Sequence, residues 1–416
     1  MFSFFSNTLT VKPFGNLAAL ALTLFVSLLF FGCGGSGNGG GDPRNLNGYV
    51  VSFYDDTLEL LGTDNIAEGA IVDLDDKKSE YGVEDWYQAK STTALGETFI
   101  PRSDINFYAT QGVIEISNQA ELDAMRDSLS GKYILIKDIE LKATGAGFEG
   151  AQGWLPVGSP PPTPFRGILN GNGHKIRGLW INRPSGSEVG LFGRIEAGTI
   201  KNLGVEIDDN NGGIQGEERV GGISGWVQQG STITNSYSVG SIRGTTHVGG
   251  IAGYIQISSA ITNSYFVGNI SGTYYAGGIA GYIKQNSRIA TSYSMANISA
   301  YIGVGGIAGY VIESNINNNA AIHQEVNATS VVNRISGYVS SSNKVSNNFA
   351  LSSTRIVIEG ANGNAGTLKS DAELKAEMTY SDAVNGNGKG GLGWDFETIW
   401  KIDEGEGYPY LYWEDR

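Results

Sequence analysis

The chain has 416 residues, 61 of them glycine and only 10 proline, and a net charge of −14. Glycine at about twice its usual share without matching proline argues against collagen or a proline-rich linker, and 7 Trp, 20 Tyr and 16 Phe argue against a disordered chain. The acid excess argues against nucleic acid as a partner; one cysteine rules out a disulfide framework, and with only three histidines no metal and no cofactor are expected.

At the N-terminus Lys12 is the only charge before an apolar run at 17–31, which ends at Gly32 and Cys33. A membrane-spanning helix needs about 20 such residues, so the shorter run reads as a signal-peptide core. The lone cysteine at its end resembles a bacterial lipoprotein signal, with Phe30 and Phe31 where that signal usually has leucine and a small residue. The resemblance implies a signal peptide at 1–32 and lipid on Cys33 as the link to a membrane. A glycine-rich tether follows at 33–47. The expected location is the cell envelope after export; because no aspartate follows Cys33, it leans to the outer membrane, facing outward. The alternative is an ordinary secretory signal with an incidental cysteine.

Residues 48–111 form a small module with strands expected at 49–54, 70–72 and 105–109. The cluster Asp73-Leu74-Asp75-Asp76 lacks the sixth-position glycine and terminal glutamate of a calcium loop and reads as a solvated acidic loop. With Phe53, Val72, Trp86 and Tyr108 the segment resembles the internalin-type B-repeat (the Listeria–Bacteroides repeat), a small β-grasp-like surface module. Asp85 replaces the glycine usual before the Trp, and no Asn-Gly turn follows the first strand. The resemblance implies a spacer or protein-contact module.

From Val220 the chain repeats every 28 residues: Val220-Gly-Gly-Ile-Ser-Gly-Trp-Val, then copies beginning at Val248, Ala276 and Val304, and a worn copy ending at Val339. Trp226, Tyr254, Tyr282, Tyr310 and Tyr338 keep this spacing, as do Asn235, Asn263, Thr291, Asn319 and Asn347. Each unit holds short β-branched and aromatic stretches separated by glycine and serine, with no helical spacing of apolar residues. One such unit cannot bury its apolar side alone; stacked on the next it can, with each backbone N–H meeting a carbonyl one coil away. The expected object is a parallel β-helix with coils about 4.8 Å apart. Gly221, Gly222 and Gly225 would lie where the chain turns or packs tightly, and the asparagines would form a stacked ladder.

Gly-Gly-Ile-Ala-Gly-Tyr followed by Ile-Thr-Asn-Ser-Tyr resembles the GLUG motif repeat of bacterial surface proteins, which also lies beside the catalytic domain of immunoglobulin A metallopeptidases. The resemblance implies a right-handed coil. A helix at 115–129, then the stretch from Tyr133 to His174, resembles the opening cap and first coil; Ser370 and Glu373 form a capping box. The closing segment, with Trp394, Trp400, Tyr408 and Trp413, is expected to cover the open end of the rod. The fold class is therefore mainly β: a small β-grasp-like domain at 48–111, a right-handed parallel β-helix of 28-residue coils at 112–368, and a helix with a Trp- and Tyr-rich cap at 369–416.

Between Val220 and Ala350 the only acids are Glu313 and Glu325, so no carboxylate pair or calcium-binding face can be assembled from the repeats. His174, His247 and His323 are isolated, and no His-Glu-x-x-His occurs. The residues therefore read as a lipid-anchored surface protein for binding or adhesion, without enzymatic activity. The alternatives are a β-helix polysaccharide lyase or hydrolase, and a purely structural spacer. The candidate ligand stripe is Trp226, Tyr254, Tyr282, Tyr310 and Tyr338, for a glycan or a surface protein. The pattern allows two phases: Ile223 and Val227 inward with the stripe outward, or Val220 and the aromatics inward as core.

Overall fold

The computed structural model describes residues 48–159, 163–340, 344–356, 366–381 and 391–414. The signal, Cys33 and the tether lie outside them. Three β-rich stretches in each repeat become three walls of a parallel solenoid. The first wall has nine strands, running from Val113–Ile116 through Thr232–Thr234, Ala260–Thr262 and Arg288–Ala290 to Lys344–Ser346. The second has six, Phe192–Glu196, Ser224–Gln228, Ala252–Ile255, Ala280–Ile283, Ala308–Val311 and Ser336–Val339. The third includes Tyr237–Arg243, Tyr265–Ser271 and Tyr293–Gly305. Strands stack in parallel on those one repeat away: Tyr254 faces Tyr282, Ile261 faces Ile289 and Ile270 faces Ile298.

Columns of identical side chains fill the interior. Ile223, Ile251, Ile279, Ile307 and Ile335 are all fully buried, as are Ile233, Ile261, Ile289 and Ile316, each burial being worth about 1.5–3 kcal/mol relative to exposure. Backbone pairing between coils accompanies them, as in Ile251 N–H to Ile279 O at 3.0 Å and Ile279 N–H to Ile307 O at 2.9 Å.

Glycine in the repeat core serves close approach more than unusual backbone angles. A Cβ on Gly281 would lie 2.4 Å from the His247 carbonyl carbon and the Val248 nitrogen, and one on Gly253 would meet Arg219 and Val220 equally closely. Gly281→Ala is therefore expected to cost about 1–3 kcal/mol by overpacking, read as a lowered denaturation midpoint with an unchanged m-value.

The 28-residue period conceals a local slip. Val311 pairs with Ile283, but Asn315 pairs with Arg288, so one residue is missing from the intervening turn. Val326 again pairs with Ile298, so the extra residue is returned between Ala321 and Val326, beside the buried His323.

The module at 48–111 pairs Gly48–Tyr54 antiparallel with Leu60–Ala67 and parallel with Ile105–Tyr108. The long second strand is thus at 60–67; of the expected 70–72 only Val72 is in a strand, Val72–Asp73. The acidic cluster is a helix start and not a loop: Asp73 caps Leu74–Tyr81 by accepting from the N–H groups of Asp75 and Asp76, whose charges suit a helix N-terminus. Phe53, Val72 and Trp86 share one small core. Tyr108 points away from it, joining Tyr54, Leu58, Val113 and Ile134 against the solenoid. Lys201, with 5% of its side chain exposed, pairs with Glu59 at 2.7 Å across this contact. The helix expected at 115–129 is broken into a strand, Val113–Ile116, the helix Gln119–Asp123 and a tighter turn, Ala124–Asp127, with Leu122 and Met125 buried in the main core.

The Trp-rich closing segment lies along the flank of the solenoid and not over its open end. Tyr237, Tyr265 and Tyr293 stack outside the third wall at 4.8 Å spacing. Trp413 stacks on Tyr237, while Trp394 and Trp400 lie against Tyr293. Glu414 accepts from the Tyr265 hydroxyl at 2.7 Å, and the Trp394 indole N–H donates to the Asn318 carbonyl at 2.8 Å. An uncovered tyrosine column is a large apolar surface, and the segment buries it. The capping box of Ser370 and Glu373 is formed at the start of Asp371–Leu374.

Candidate binding surface

The second wall decides the phase of the aromatic ladder. Val227, Ile255, Ile283 and Val311 are fully buried, and Trp226, Tyr254, Tyr282, Tyr310 and Tyr338 occupy the alternate, outward positions. Val220 is also inward, so both aliphatic positions belong to the core. Successive ring centroids lie 5.8, 5.0, 4.9 and 4.6 Å apart. Exposure is uneven along the ladder, from 8% at Tyr254 to 36% at Tyr338.

The unevenness comes from a neighbouring column that sequence reading missed. Glu188, Arg219, His247 and Tyr275 hold φ between 56° and 60°, and the last three lie against the stripe. Arg219, His247 and Tyr275 keep the 28-residue spacing, and Glu188 precedes them by 31 where Val189 pairs with Val220; their chemistry differs at every coil, so no periodic signal marks them. Glu188, with 4% of its side chain exposed, binds Arg194 at 2.6 Å and Arg219 at 3.2 Å. The two guanidiniums lie 4.2 and 4.6 Å from the Trp226 ring, contacts of about 0.5–2 kcal/mol each. His247 sits among Tyr254, Tyr275 and Tyr282 at centroid distances of 5.0–5.7 Å. Burial lowers its pKa to about 4, with Arg219 and Lys284 adding to the effect. Burial likewise pushes the Tyr282 hydroxyl up to about 12. Both groups are uncharged at neutral pH.

One coil further the equivalent position is Gly303, and Tyr275 leans across to stack on Tyr310 with centroids 5.0 Å apart. The stripe is therefore flanked by cations at Trp226, most covered at Tyr254, and opens toward Tyr310 and Tyr338. A planar apolar group or the face of a sugar ring fits such a shelf, because aromatic rings offer contact area at little entropic cost.

The asparagine column lies at a corner. Asn235 (φ 48°), Asn263 (φ 49°), Thr291 (φ 48°) and Asn347 (φ 50°) are all in the left-handed region, which asparagine tolerates better than most residues. Asn235 donates to Asn202 at 3.2 Å, Thr291 bonds Asn263, and Asn347 donates to Asn318 at 2.8 Å. Asn319 is displaced from this ladder by the one-residue slip, and Asn318 takes its place. Asn319 instead continues the buried column of Ser236, Ser264 and Ser292, where it accepts from the Ser292 N–H at 3.1 Å. Of the other histidines, His174 lies 3.3 Å from Asp138, and His323 is fully buried with its Nε2 2.9 Å from the Gly306 carbonyl.

No protein-family model matches the chain. A protein described as "Putative Gly-rich membrane protein" from Evansella cellulosilytica is 41% identical over 96 residues, covering 22% of this chain and 11% of that protein. Halomucin from Haloquadratum walsbyi is 30% identical over 140 residues, covering 27% of this chain and 2% of its own length. The chain thus spans only a small part of the curated relatives it matches. Among solved structures, a chain described as a "putative immunoglobulin A1 protease" from Bacteroides ovatus aligns with a TM-score of 0.54 at 22% identity, over 73% of this chain and 93% of that one. A second, named "IgA1 Protease", aligns with a TM-score of 0.39 at 16% identity, over 64% of this chain and 23% of that one.

The first structural likeness establishes the shared solenoid fold, and it corrects the reading of this chain as a molecule without enzymatic activity. A chain of the same fold, matched over nearly its whole length, is named for a protease. The scarcity of acids in the repeats bears on lyase and glycosidase chemistry, which need calcium ligands or paired carboxylates.

Proposed function

We propose that this chain is an exported solenoid, attached to the cell envelope through lipid on Cys33, that holds a glycan or a surface protein on its aromatic wall. The observation that carries the reading is the outward ladder from Trp226 to Tyr338, with its open end at Tyr310 and Tyr338. The membrane attachment is supported by the residues around Cys33 and by the description of the Evansella relative as a membrane protein. Tyr310→Ala combined with Tyr338→Ala is expected to weaken binding on a glycan and matrix-protein array at least tenfold. The same change removes the ring pairs of Tyr310 with Tyr275, Tyr282 and Tyr338 and should lower stability by about 2–4 kcal/mol, at about 0.5–1.5 kcal/mol per pair. Equal array signals from the two proteins would remove the stripe from the ligand site and leave the role of a structural spacer.

A second reading is cleavage of immunoglobulin A1, favoured by the name of the Bacteroides ovatus chain and its 93% coverage. Incubation of the full chain with immunoglobulin A1 and electrophoresis of the heavy chain tests it: discrete fragments support the reading, and an intact heavy chain rejects it.

A further inference from the structure

We infer that the third wall carries a second binding site, separate from the aromatic ladder, that takes a linear, uncharged polysaccharide. Two adjoining hollows of ≈ 620 and ≈ 770 Å³ meet at Asn269 and Asn297, each within the size range of small-ligand sites. One is floored by polar side chains projecting from successive coils. The other has apolar floor residues, Val267 and Met295 among them, and a side formed by Lys375 and Tyr408 of the closing segment. That segment therefore converts a flat solenoid wall into a trench with one amide-lined and one apolar half.

The chemistry of the trench points to hydroxyl groups. Asn297 donates to Asn269 Oδ1 at 3.3 Å, and Asn269 donates to Ser241 Oγ at 3.4 Å. Each amide nitrogen carries two N–H groups and uses one of them in this ladder, leaving a donor per coil for a ligand. Ser271 and Ser299 add a parallel row of hydroxyls, in register with each other. The pattern offers polar groups about every 4.8 Å along the axis, which suits a ligand that repeats along its length. Charge is balanced: each hollow is lined by one cation and one anion, Arg243 and Glu325 in the first, and Lys375, paired with Asp371 at 3.1 Å, in the second. An acidic polymer would find no cationic surplus here. A peptide adding itself as a strand would find no free backbone either, because Tyr237–Arg243, Tyr265–Ser271 and Tyr293–Gly305 are already paired with one another. Apolar patches for C–H faces beside amides for hydroxyls fit a neutral sugar chain.

The test is calorimetric titration of the full chain with cellohexaose, xylohexaose and mannohexaose, with hexagalacturonate as the charged comparison and an array of branched protein-linked glycans in parallel. At least one neutral hexasaccharide should bind, and Asn269→Ala with Asn297→Ala should weaken it tenfold or more at an unchanged Tm. Ser299→Arg, which fills the trench from an exposed position, should do the same, while the Tyr310→Ala, Tyr338→Ala protein should bind as the parent does. No binding of any neutral hexasaccharide overturns the inference. So does binding confined to hexagalacturonate or to branched glycans, or binding indifferent to both trench variants. Loss in the tyrosine variant alone assigns the sugar to the aromatic wall and also overturns it.

Discussion

Replacing Trp400 with alanine should lower stability by about 3–5 kcal/mol, the usual cost of emptying a buried tryptophan site. Trp400 is fully buried, 4.6 Å from the Trp394 ring centroid and 6.0 Å from Tyr293. The loss should appear where the closing segment meets the solenoid. Amide hydrogens of Tyr293–Gly305, whose Tyr293 ring Trp400 covers, and of the adjoining Tyr265–Ser271 are expected to exchange faster. Trp400→Phe should cost much less, since its indole N–H has no hydrogen-bond partner among the described residues. A lid over the end of the rod predicts the reverse pattern: exchange would rise at the last coil, around Phe349–Leu351, and leave the middle strands protected. Exchange measured with mass-spectrometric readout separates the two.

The second large effect is on acid stability. His323 is fully buried, and burial holds its pKa down to about 4 against an ordinary value of 6.5. The unfolded chain therefore binds a proton that the folded chain refuses between those two values. Stability is fully present above pH 6.5, declines as pH falls, and levels off below about 4. The change amounts to about 3 kcal/mol for this one group, at 1.36 kcal/mol per pKa unit. His247, lowered to about 4 by burial and by nearby Arg219 and Lys284, acts in the same window. Urea denaturation at pH 7.5, 5.5 and 4.0 should show the fall. His323→Ser should flatten about half of it, with a lower stability at pH 7.5 where the buried hydrogen bond to Gly306 is lost. An unchanged pH profile in that variant would assign the acid sensitivity to other groups.

Reading by period succeeded where one residue type recurs for one physical reason. The isoleucine columns and the Trp226-to-Tyr338 spacing are such cases, because stacking identical coils forces identical burial. The same reading failed at Asn319. A one-residue deletion and a one-residue insertion leave the total at 28 between Tyr310 and Tyr338, yet move the intervening corner by one position. Spacing between distant copies cannot register changes that cancel. The column of Glu188, Arg219, His247 and Tyr275 was missed for the complementary reason: a conserved geometry, positive φ beside the stripe, carries a different side chain at every coil. In the module at 48–111, charge obscured secondary structure, because the acids that suit a helix N-terminus also suit a solvated loop.

The 28-residue period alone requires that this chain wind into stacked coils, since no single unit can bury its own apolar residues. It also named the rings that would align along the rod. Tertiary structure decided which way those rings face, because inward and outward phases of an alternating strand differ only in what packs on each side. It also decided where the Trp-rich closing segment lies. That choice depends on an apolar tyrosine column on the solenoid flank, and the column exists as a surface only after distant coils have stacked.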